Sequence, residues 1–168
     1  MRKLKLSLGL AAVVSLLFAA TAQAKPPAGW EEFRSDEYGF QMLIPVGTTL
    51  VPRAFDDGWA GLYAKYGDNE VFAVTKKGAT PTRQQIEAFG VIITGIPGEH
   101  WKLLRAAKNT LGFKWFRTVK AQKGDVALFA RYGEGPKGPY IVFLKASASQ
   151  VKKHPFIYGA WANSVRVF

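Results

Sequence analysis

The sequence contains no cysteine, and this absence removes several classes of chemistry at once. A chain without thiols forms no disulfide framework, no thiolate zinc site and no cysteine nucleophile. It also lacks the residue to which bacterial lipoproteins attach their lipid, so we expect no lipid anchor. The fold must therefore be held together by packing, for which aromatic residues supply 14% of the chain.

Histidine is almost as scarce, since only His100 and His154 occur in 168 residues. Neither has a second histidine or a carboxylate three or four residues away, whereas a metal site needs three or four converging ligands. No G-x-S-x-G turn is present to hold a serine nucleophile. We therefore expect no enzyme, no metal and no cofactor, with a hydrolase built from dispersed residues as an alternative.

The acidic residues offer little acid–base chemistry. Three acidic pairs are made of adjacent residues: Glu31-Glu32, Asp36-Glu37 and Asp56-Asp57. Adjacent residues on a strand point to opposite faces, so these pairs do not converge on one substrate atom. We interpret them as solvated residues of turns and strand edges.

Gly133, Gly135 and Gly138 spell G-x-G-x-x-G, a motif of dinucleotide-binding loops. In such a loop the motif joins a strand to a helix, because the helix N-terminus receives the pyrophosphate. Here Gly138 is followed by the strand-like run PYIVFLK, and Pro136 removes one backbone N–H. The pattern predicts a glycine-rich hairpin loop between two strands and no nucleotide site.

A long apolar run occurs at the N-terminus. Three basic residues precede the run at 6–20, and an A-x-A pattern ends at Ala24. This arrangement is typical of a secretory signal peptide, whereas a membrane-spanning helix needs about 20 consecutive apolar residues. We predict a cleaved signal peptide at 1–24, a short leader at 25–29 and a single domain at 30–168, in a protein that is periplasmic or secreted.

Basic residues outnumber acidic ones, 23 to 12. Three of the basic residues lie in the predicted signal peptide, which leaves 20 against 12 and a net charge of +8 for the mature chain. Such a balance favours association with anions and the steering of partners, and it says little about the fold.

Strand patterns dominate the mature chain. A strand at 38–44 is predicted to stop at Pro45, and a loop follows at 46–58. Runs at 59–66 and 70–76 predict a hairpin across Gly67-Asp68-Asn69. Later strands, with a tight turn at Lys123-Gly124 between the second and third, are predicted at 100–109, 113–122, 125–132 and 139–146.

Two helical segments interrupt the strands. Thr80 is predicted to cap a helix at 81–93 that ends at Gly95. A closing segment capped by Ser147 or Ser149 is predicted to be a helix broken near Pro155. The order predicts an α+β fold in which an antiparallel β-sheet is flanked by helices.

The segment at 100–124 holds seven basic residues and no acidic one. Alternation along 113–122 places Lys114, Phe116 and Lys120 on one face, together with Thr118 and Gln122. One interpretation is a cationic surface that binds an acidic polysaccharide, lipid headgroups or an acidic protein, with nucleic acid the least expected in an exported protein. The other is an ordinary solvated face whose lysines protect exposed strands.

Two stretches resemble PsbP-like domains. Tyr38-Gly39-Phe40 followed by Ile44-Pro45 is similar to the Y-G-F…I-P signature of their first long strand. The chain end, with Tyr158, Trp161 and Val165, is similar to their closing helix and short final strand. The resemblance implies an α/β/α sandwich and non-enzymatic work, since members include an extrinsic photosystem II subunit, a nuclear-import cofactor, envelope lipoproteins and chaperones of secreted effectors.

Binding a protein partner is common to those members, and no catalytic residue is carried over from them. We therefore expect an exported, soluble binding or assembly protein that holds an envelope or secreted protein on a sheet face or groove. The residues expected to contact the partner are Lys108, Lys114, Phe116 and Lys120. Trp59 and Tyr63 on the predicted hairpin form a second set.

Overall fold

The computed structural model describes residues 25–104 and 111–168, so the predicted signal peptide lies outside the described residues. The strands are β1 (Trp30–Ser35), β2 (Phe40–Pro45), β3 (Val51–Ala54), β4 (Ala60–Tyr66), β5 (Asn69–Thr75), β6 (Lys102–Leu103), β7 (Trp115–Lys123), β8 (Val126–Gly135), β9 (Gly138–Ser147) and β10 (Arg166–Val167). The helices are α1 (Arg83–Thr94), α2 (Ala148–Lys153) and α3 (Pro155–Ser164), with one 3₁₀ turn at Gly98–His100.

The strands form two sheets. The large sheet has the order β3-β4-β5-β9-β8-β7-β6, and the small sheet has the order β1-β2-β10. Neighbouring strands are antiparallel throughout. The predicted α+β fold with an antiparallel sheet and helices is confirmed.

Both faces of the large sheet are covered. On β9, Ile141 and Phe143 pack with α1, whereas Val142 and Leu144 pack with the small sheet and α3. A strand buried on both faces reads as a continuous apolar run, which explains the lack of alternation here. The layer opposite α1 contains the small sheet as well as α3, so the finer description as an α/β/α sandwich stays a prediction.

Helix α1 begins at a capping box. The Thr82 hydroxyl accepts the backbone N–H of Gln85 at 3.3 Å, and the Gln85 side chain accepts the N–H of Thr82 at 2.8 Å. The predicted cap at Thr80 is therefore wrong by two residues, and the Thr82-x-x-Gln85 pattern is the signal that locates the true cap. Gly95 adopts φ 67° as the C-cap, which confirms the predicted end of the helix.

Several other local predictions are confirmed. β4 and β5 form the expected hairpin, and β7 ends beside Gly124, where the tight turn was expected. Ser147 caps α2 by accepting the backbone N–H of Gln150 at 3.3 Å. Pro155 opens α3 and so separates it from α2, because its ring cannot continue the hydrogen bonds of the preceding helix.

Two predictions for strands and loops need correction, and one strand was not predicted. The predicted loop at 46–58 contains β3, whose four residues are all exposed and so show no alternation. β1 had no strand prediction of its own, although it pairs with β2 along six residues. In the described part of the strand predicted at 100–109, the structure has the end of a 3₁₀ turn followed by β6, and residues 105–109 lie outside the described residues.

Candidate functional site

The glycine motif lies in a hairpin, as predicted. Gly133 and Gly135 are residues of β8, and Gly138 opens β9 after a two-residue turn. A Cβ on Gly133 would lie 2.1 Å from the carbonyl oxygen of Trp115. Glycine at this position therefore allows the neighbouring strands to approach closely. No helix follows the motif, and the geometry of a dinucleotide loop is not formed.

The two histidines lie on separate elements and are exposed. His100 ends the 3₁₀ turn, and His154 lies between α2 and α3. Across residues 25–104 and 111–168, no group of three or more histidine, aspartate or glutamate side chains could hold a metal ion.

The basic side chains of β7 are divided between two environments. Lys114, just before the strand, forms an ion pair with Glu134 at 2.6 Å and lowers the pKa of that carboxyl by its hydrogen bond. Lys120 is exposed and lies directly opposite Lys102 of β6. Two like charges in register repel each other, so this position concentrates positive charge at the edge of the sheet. Lys114 is thus held in an ion pair with Glu134, whereas Lys120 lies at the edge of the sheet beside Lys102.

The prediction of a solvated face on β7 is wrong at Thr118. Thr118 is 7% exposed, and its hydroxyl accepts a hydrogen bond from Arg131 at 3.1 Å. Phe116 is half-buried, with the guanidinium carbon of Arg131 lying 4.8 Å from its ring centre. This face of the sheet lies beneath the small sheet and α3, so strand alternation does not separate solvent from core here.

The remaining predicted residues are also distributed differently from the expectation. Lys108 lies outside the described residues. Trp59 is 3% exposed and stacks on Phe89 with ring centres 4.5 Å apart, so it is a core residue that a partner would not reach. Tyr63 is half-buried and forms part of a cleft on the same face of the sheet as α1.

This cleft, which we call the aromatic cleft, has a volume of about 290 Å³. Its central row of side chains crosses β4, β5 and β9, where Tyr63 lies opposite Phe72 and Phe72 lies opposite Phe143. Phe72 and Phe143 are buried and form the floor. The lining residues are Arg53, Phe55, Tyr63, Glu70, Phe72, Ile93 and Phe143.

The walls of the aromatic cleft come from two elements that flank this row. Phe55 follows β3 and meets Phe72 edge to face with ring centres 6.0 Å apart. Tyr63 meets the same ring at 5.8 Å. Ile93 is supplied by the last turn of α1, which lies over this part of the sheet. Edge-to-face packing holds the rings in defined positions, so the cleft is preformed.

Charged groups of both signs border the apolar floor. Glu70 lies between Lys65 and Lys145 in the next row of side chains, and its carboxylate lies 2.9 Å from the Lys145 ammonium. Lys145 also donates to the carbonyl oxygen of Thr94 at 3.4 Å, near the end of α1. On the opposite side, the exposed Arg53 guanidinium lies 5.4 Å from the Tyr63 ring centre.

Burial raises the pKa of the Tyr63 phenol, and the nearby Glu70 carboxylate raises it further while Arg53 opposes the shift. The hydroxyl is therefore protonated at neutral pH and can donate a hydrogen bond. The aromatic cleft can accept one apolar side chain and offers a donor and both charges around it. This combination is suited to binding, because binding pockets join an apolar lining to a few placed polar groups.

Sequence reasoning found Tyr63 and missed the rest of the aromatic cleft. The predicted hairpin could have paired Tyr63 with Phe72, since both lie near the middle of their strands. Phe143 and Ile93 become neighbours through β-strand pairing and helix packing between distant segments, which no local pattern reports.

Comparison with known proteins gives the fold its name. Fourteen chains of solved structures match the structure. One is the solution structure of cyanobacterial PsbP (CyanoP) from Synechocystis sp. PCC 6803, with a TM-score of 0.54 and 11% sequence identity over 86% of this chain and 96% of that chain. The predicted PsbP-like fold is confirmed, and at this identity the likeness concerns the fold alone.

Neither the protein-family models nor the curated proteins give a match. Among residues 25–104 and 111–168, no helix has both the length and the apolar character needed to span a membrane.

Proposed function

We propose that this chain is an exported, non-enzymatic binding protein that holds a protein partner at the aromatic cleft. The observation that carries the proposal is the preformed cleft whose half-buried walls, Phe55, Tyr63 and Ile93, are accessible to a partner and are bordered by charges of both signs. Protein interfaces draw most of their affinity from a few anchors that fill such desolvated pockets. The fold likeness to cyanobacterial PsbP supports the proposal only as an analogy of fold.

The size of the aromatic cleft favours a side-chain anchor over a cofactor. At about 290 Å³ it lies at the lower limit of pockets that enclose small molecules. One aromatic or branched aliphatic side chain of a partner would pack between the half-buried side chains of Phe55, Tyr63 and Ile93. Arg53 and the Glu70–Lys145 ion pair would then contact polar groups on either side of that anchor.

The partner is expected to use a protruding segment and not an added strand. β3 is the edge strand beside the aromatic cleft, and Pro52 at its centre provides no N–H for a further ladder. Backbone pairing at this edge is thereby weakened, so side-chain insertion carries the affinity.

Capture from the envelope fraction of the source cells tests the proposal. The tagged protein, a Tyr63→Ala variant and a Tyr66→Ala variant are compared, with washing at high salt to remove purely ionic contacts. Tyr66 is the matched control, because it is an exposed tyrosine on the same strand with the opposite alternation.

A partner held at the aromatic cleft is retained by the parent and by Tyr66→Ala, and lost from Tyr63→Ala. Equal capture by all three proteins would overturn the proposal. Loss of all captured material at high salt, from the parent as well, would favour a binder of anionic polymers.

A further inference from the structure

Phe156 is the most exposed large apolar side chain among the described residues, with 91% of its surface accessible. Tyr158 of the same helix is buried in the core, and two helical residues are separated by about 200° around the axis. Phe156 therefore points away from the protein. Within residues 25–104 and 111–168, its ring belongs to neither cluster of packed core residues.

The position of Phe156 follows from the break between α2 and α3. Pro155 cannot continue α2, so a new helix starts there and carries Phe156 in its first turn. The last two residues of α2, Lys152 and Lys153, immediately precede this break and are exposed. The exposed aromatic residue therefore follows two exposed lysines within four residues of chain.

A second pair of lysines approaches from the edge of the large sheet. Lys102 and Lys120 lie directly opposite each other on β6 and β7, and both are exposed. Their strand positions share the face that α3 covers, because Lys120 lies opposite Phe129, and Phe129 stacks on Tyr158 at 5.6 Å. Val151 of α2 packs against the same core cluster as Tyr158, so the helix that carries Lys152 and Lys153 lies on this side of the large sheet as well.

A cavity of about 650 Å³ lies between the lysine pair of the sheet and the start of α3. Lys102 and Lys120 line it from the sheet, and Pro155 and Gly159 line it from α3. Glu99 is an acidic residue in the same lining. None of the four lysines forms an ion pair with a carboxylate in the described part of the chain. We call Lys102, Lys120, Lys152, Lys153 and Phe156 the basic aromatic surface.

We propose that the basic aromatic surface binds the surface of an anionic lipid membrane, with Phe156 inserted among the headgroups. Peripheral binding of this kind needs both an apolar group that enters the interface and cations that face the anionic headgroups. The surface supplies both within one region. This role is separate from the aromatic cleft, which lies on the opposite face of the large sheet.

Charge complementarity and the exposed ring together favour a membrane over a soluble polyanion. A soluble polyanion is held mainly by the lysines, and it offers the exposed Phe156 ring at most stacking on a ring of the polymer and no apolar medium to enter. A lipid interface instead stabilises an aromatic ring next to lysines, whose chains extend toward the headgroups.

The test uses the purified protein, as its expressing cell processes it, with sedimenting vesicles. One preparation contains equal parts of phosphatidylglycerol and phosphatidylcholine, and the other contains phosphatidylcholine alone. Binding to the first is expected to exceed binding to the second by at least about tenfold at about 0.1 M salt, and to weaken as salt increases. Phe156→Ser and Lys152→Ala/Lys153→Ala are each expected to reduce binding by about tenfold or more.

Two variants serve as matched controls. Ile92→Ser removes a large apolar side chain that is 73% exposed on α1, on the other face of the large sheet. Lys76→Ala/Lys77→Ala removes an adjacent lysine pair after β5. Both controls are expected to bind the vesicles as the parent does, and thermal unfolding checks that every variant is folded.

The absence of cysteine gives a second measurement. A polarity-sensitive dye on a Phe156→Cys variant is expected to report an apolar environment when anionic vesicles are added, and the same dye on Ile92→Cys is not. Equal binding to both vesicle types, no binding to either, or an unchanged dye at position 156 would overturn the proposal. Full release by a soluble acidic polysaccharide, with Phe156→Ser still binding normally, would assign the surface to polyanions instead.

Discussion

The guanidinium of Arg131 donates a hydrogen bond at 2.9 Å to the carbonyl oxygen of Val165, which lies just before β10. Arg131 is 2% exposed and has no carboxylate partner among the described residues. It therefore fastens the C-terminal segment to β8 at the expense of a buried charge. Burial lowers the pKa of Arg131 to about 10, which corresponds to a cost of about 3 kcal/mol for charging it in the folded protein.

Replacing Arg131 is expected to show that its hydrogen bonds stabilise the fold while its buried charge destabilises it. Arg131→Met loses the bonds to Val165 and Thr118 but also removes the desolvated charge, so we expect a loss of about 1 kcal/mol. Arg131→Ala leaves a cavity in addition and is expected to cost about 3 kcal/mol or more. Urea unfolding measures both values, and a loss of about 3 kcal/mol or more in Arg131→Met, which leaves no large cavity, would contradict the cost assigned to the buried charge.

Alkaline pH provides a second prediction, at Tyr132. Burial is the main cause that raises the pKa of Tyr132 to about 12, and its hydrogen bond to Glu87 at 2.7 Å adds to the shift. An unfolded tyrosine titrates near pH 10, so the folded state holds this proton more tightly. The stabilisation is complete below about pH 10 and is lost as the pH rises toward 12.

Comparison of the parent with Tyr132→Phe isolates this effect from other titrating groups. The difference between their free energies of unfolding is expected to fall by about 2 kcal/mol from about pH 9 to about pH 12. A difference that stays constant over this range would contradict the assigned shift.

The glycines of the hairpin provide a third prediction. A Cβ on Gly133 would lie within 3 Å of the backbone of β7, which cannot move without breaking the ladder. We expect Gly133→Ala to reduce the free energy of unfolding by about 2 kcal/mol. Gly159 of α3 has open space around it, so Gly159→Ala is expected to stabilise the protein by up to about 1 kcal/mol. Two changes of the same sign in urea unfolding would refute the steric argument.

Local chemistry in the sequence was enough to place the hairpin of β4 and β5, the end of α1 at Gly95 and the break at Pro155. Each depends on a few adjacent residues whose backbone preferences are strong. The predicted cap at Thr80 was wrong because Thr82 and Gln85 each accept the backbone N–H of the other. A search for the capping-box pattern at these two positions would have located the true cap. β3 escaped prediction because an exposed edge strand has no apolar alternation.

The candidate sites were less predictable than the fold. Trp59 looked available on a hairpin, but α1 places Phe89 against it. Thr118 looked solvated on an alternating strand, but Arg131 and the C-terminal segment cover it. Both residues are buried by segments far away in sequence, and alternation along one strand cannot report which faces of the sheet are covered.

The central claim, that the aromatic cleft holds a protein partner, is tested most directly by photo-crosslinking in the source cells. A photoreactive phenylalanine analogue is placed at position 63 in one variant and at position 66 in another, so that both sides of β4 are compared. We predict a crosslink to one defined protein from position 63 and none to that protein from position 66. The same crosslinks from both positions, or crosslinks from position 66 alone, would contradict the claim.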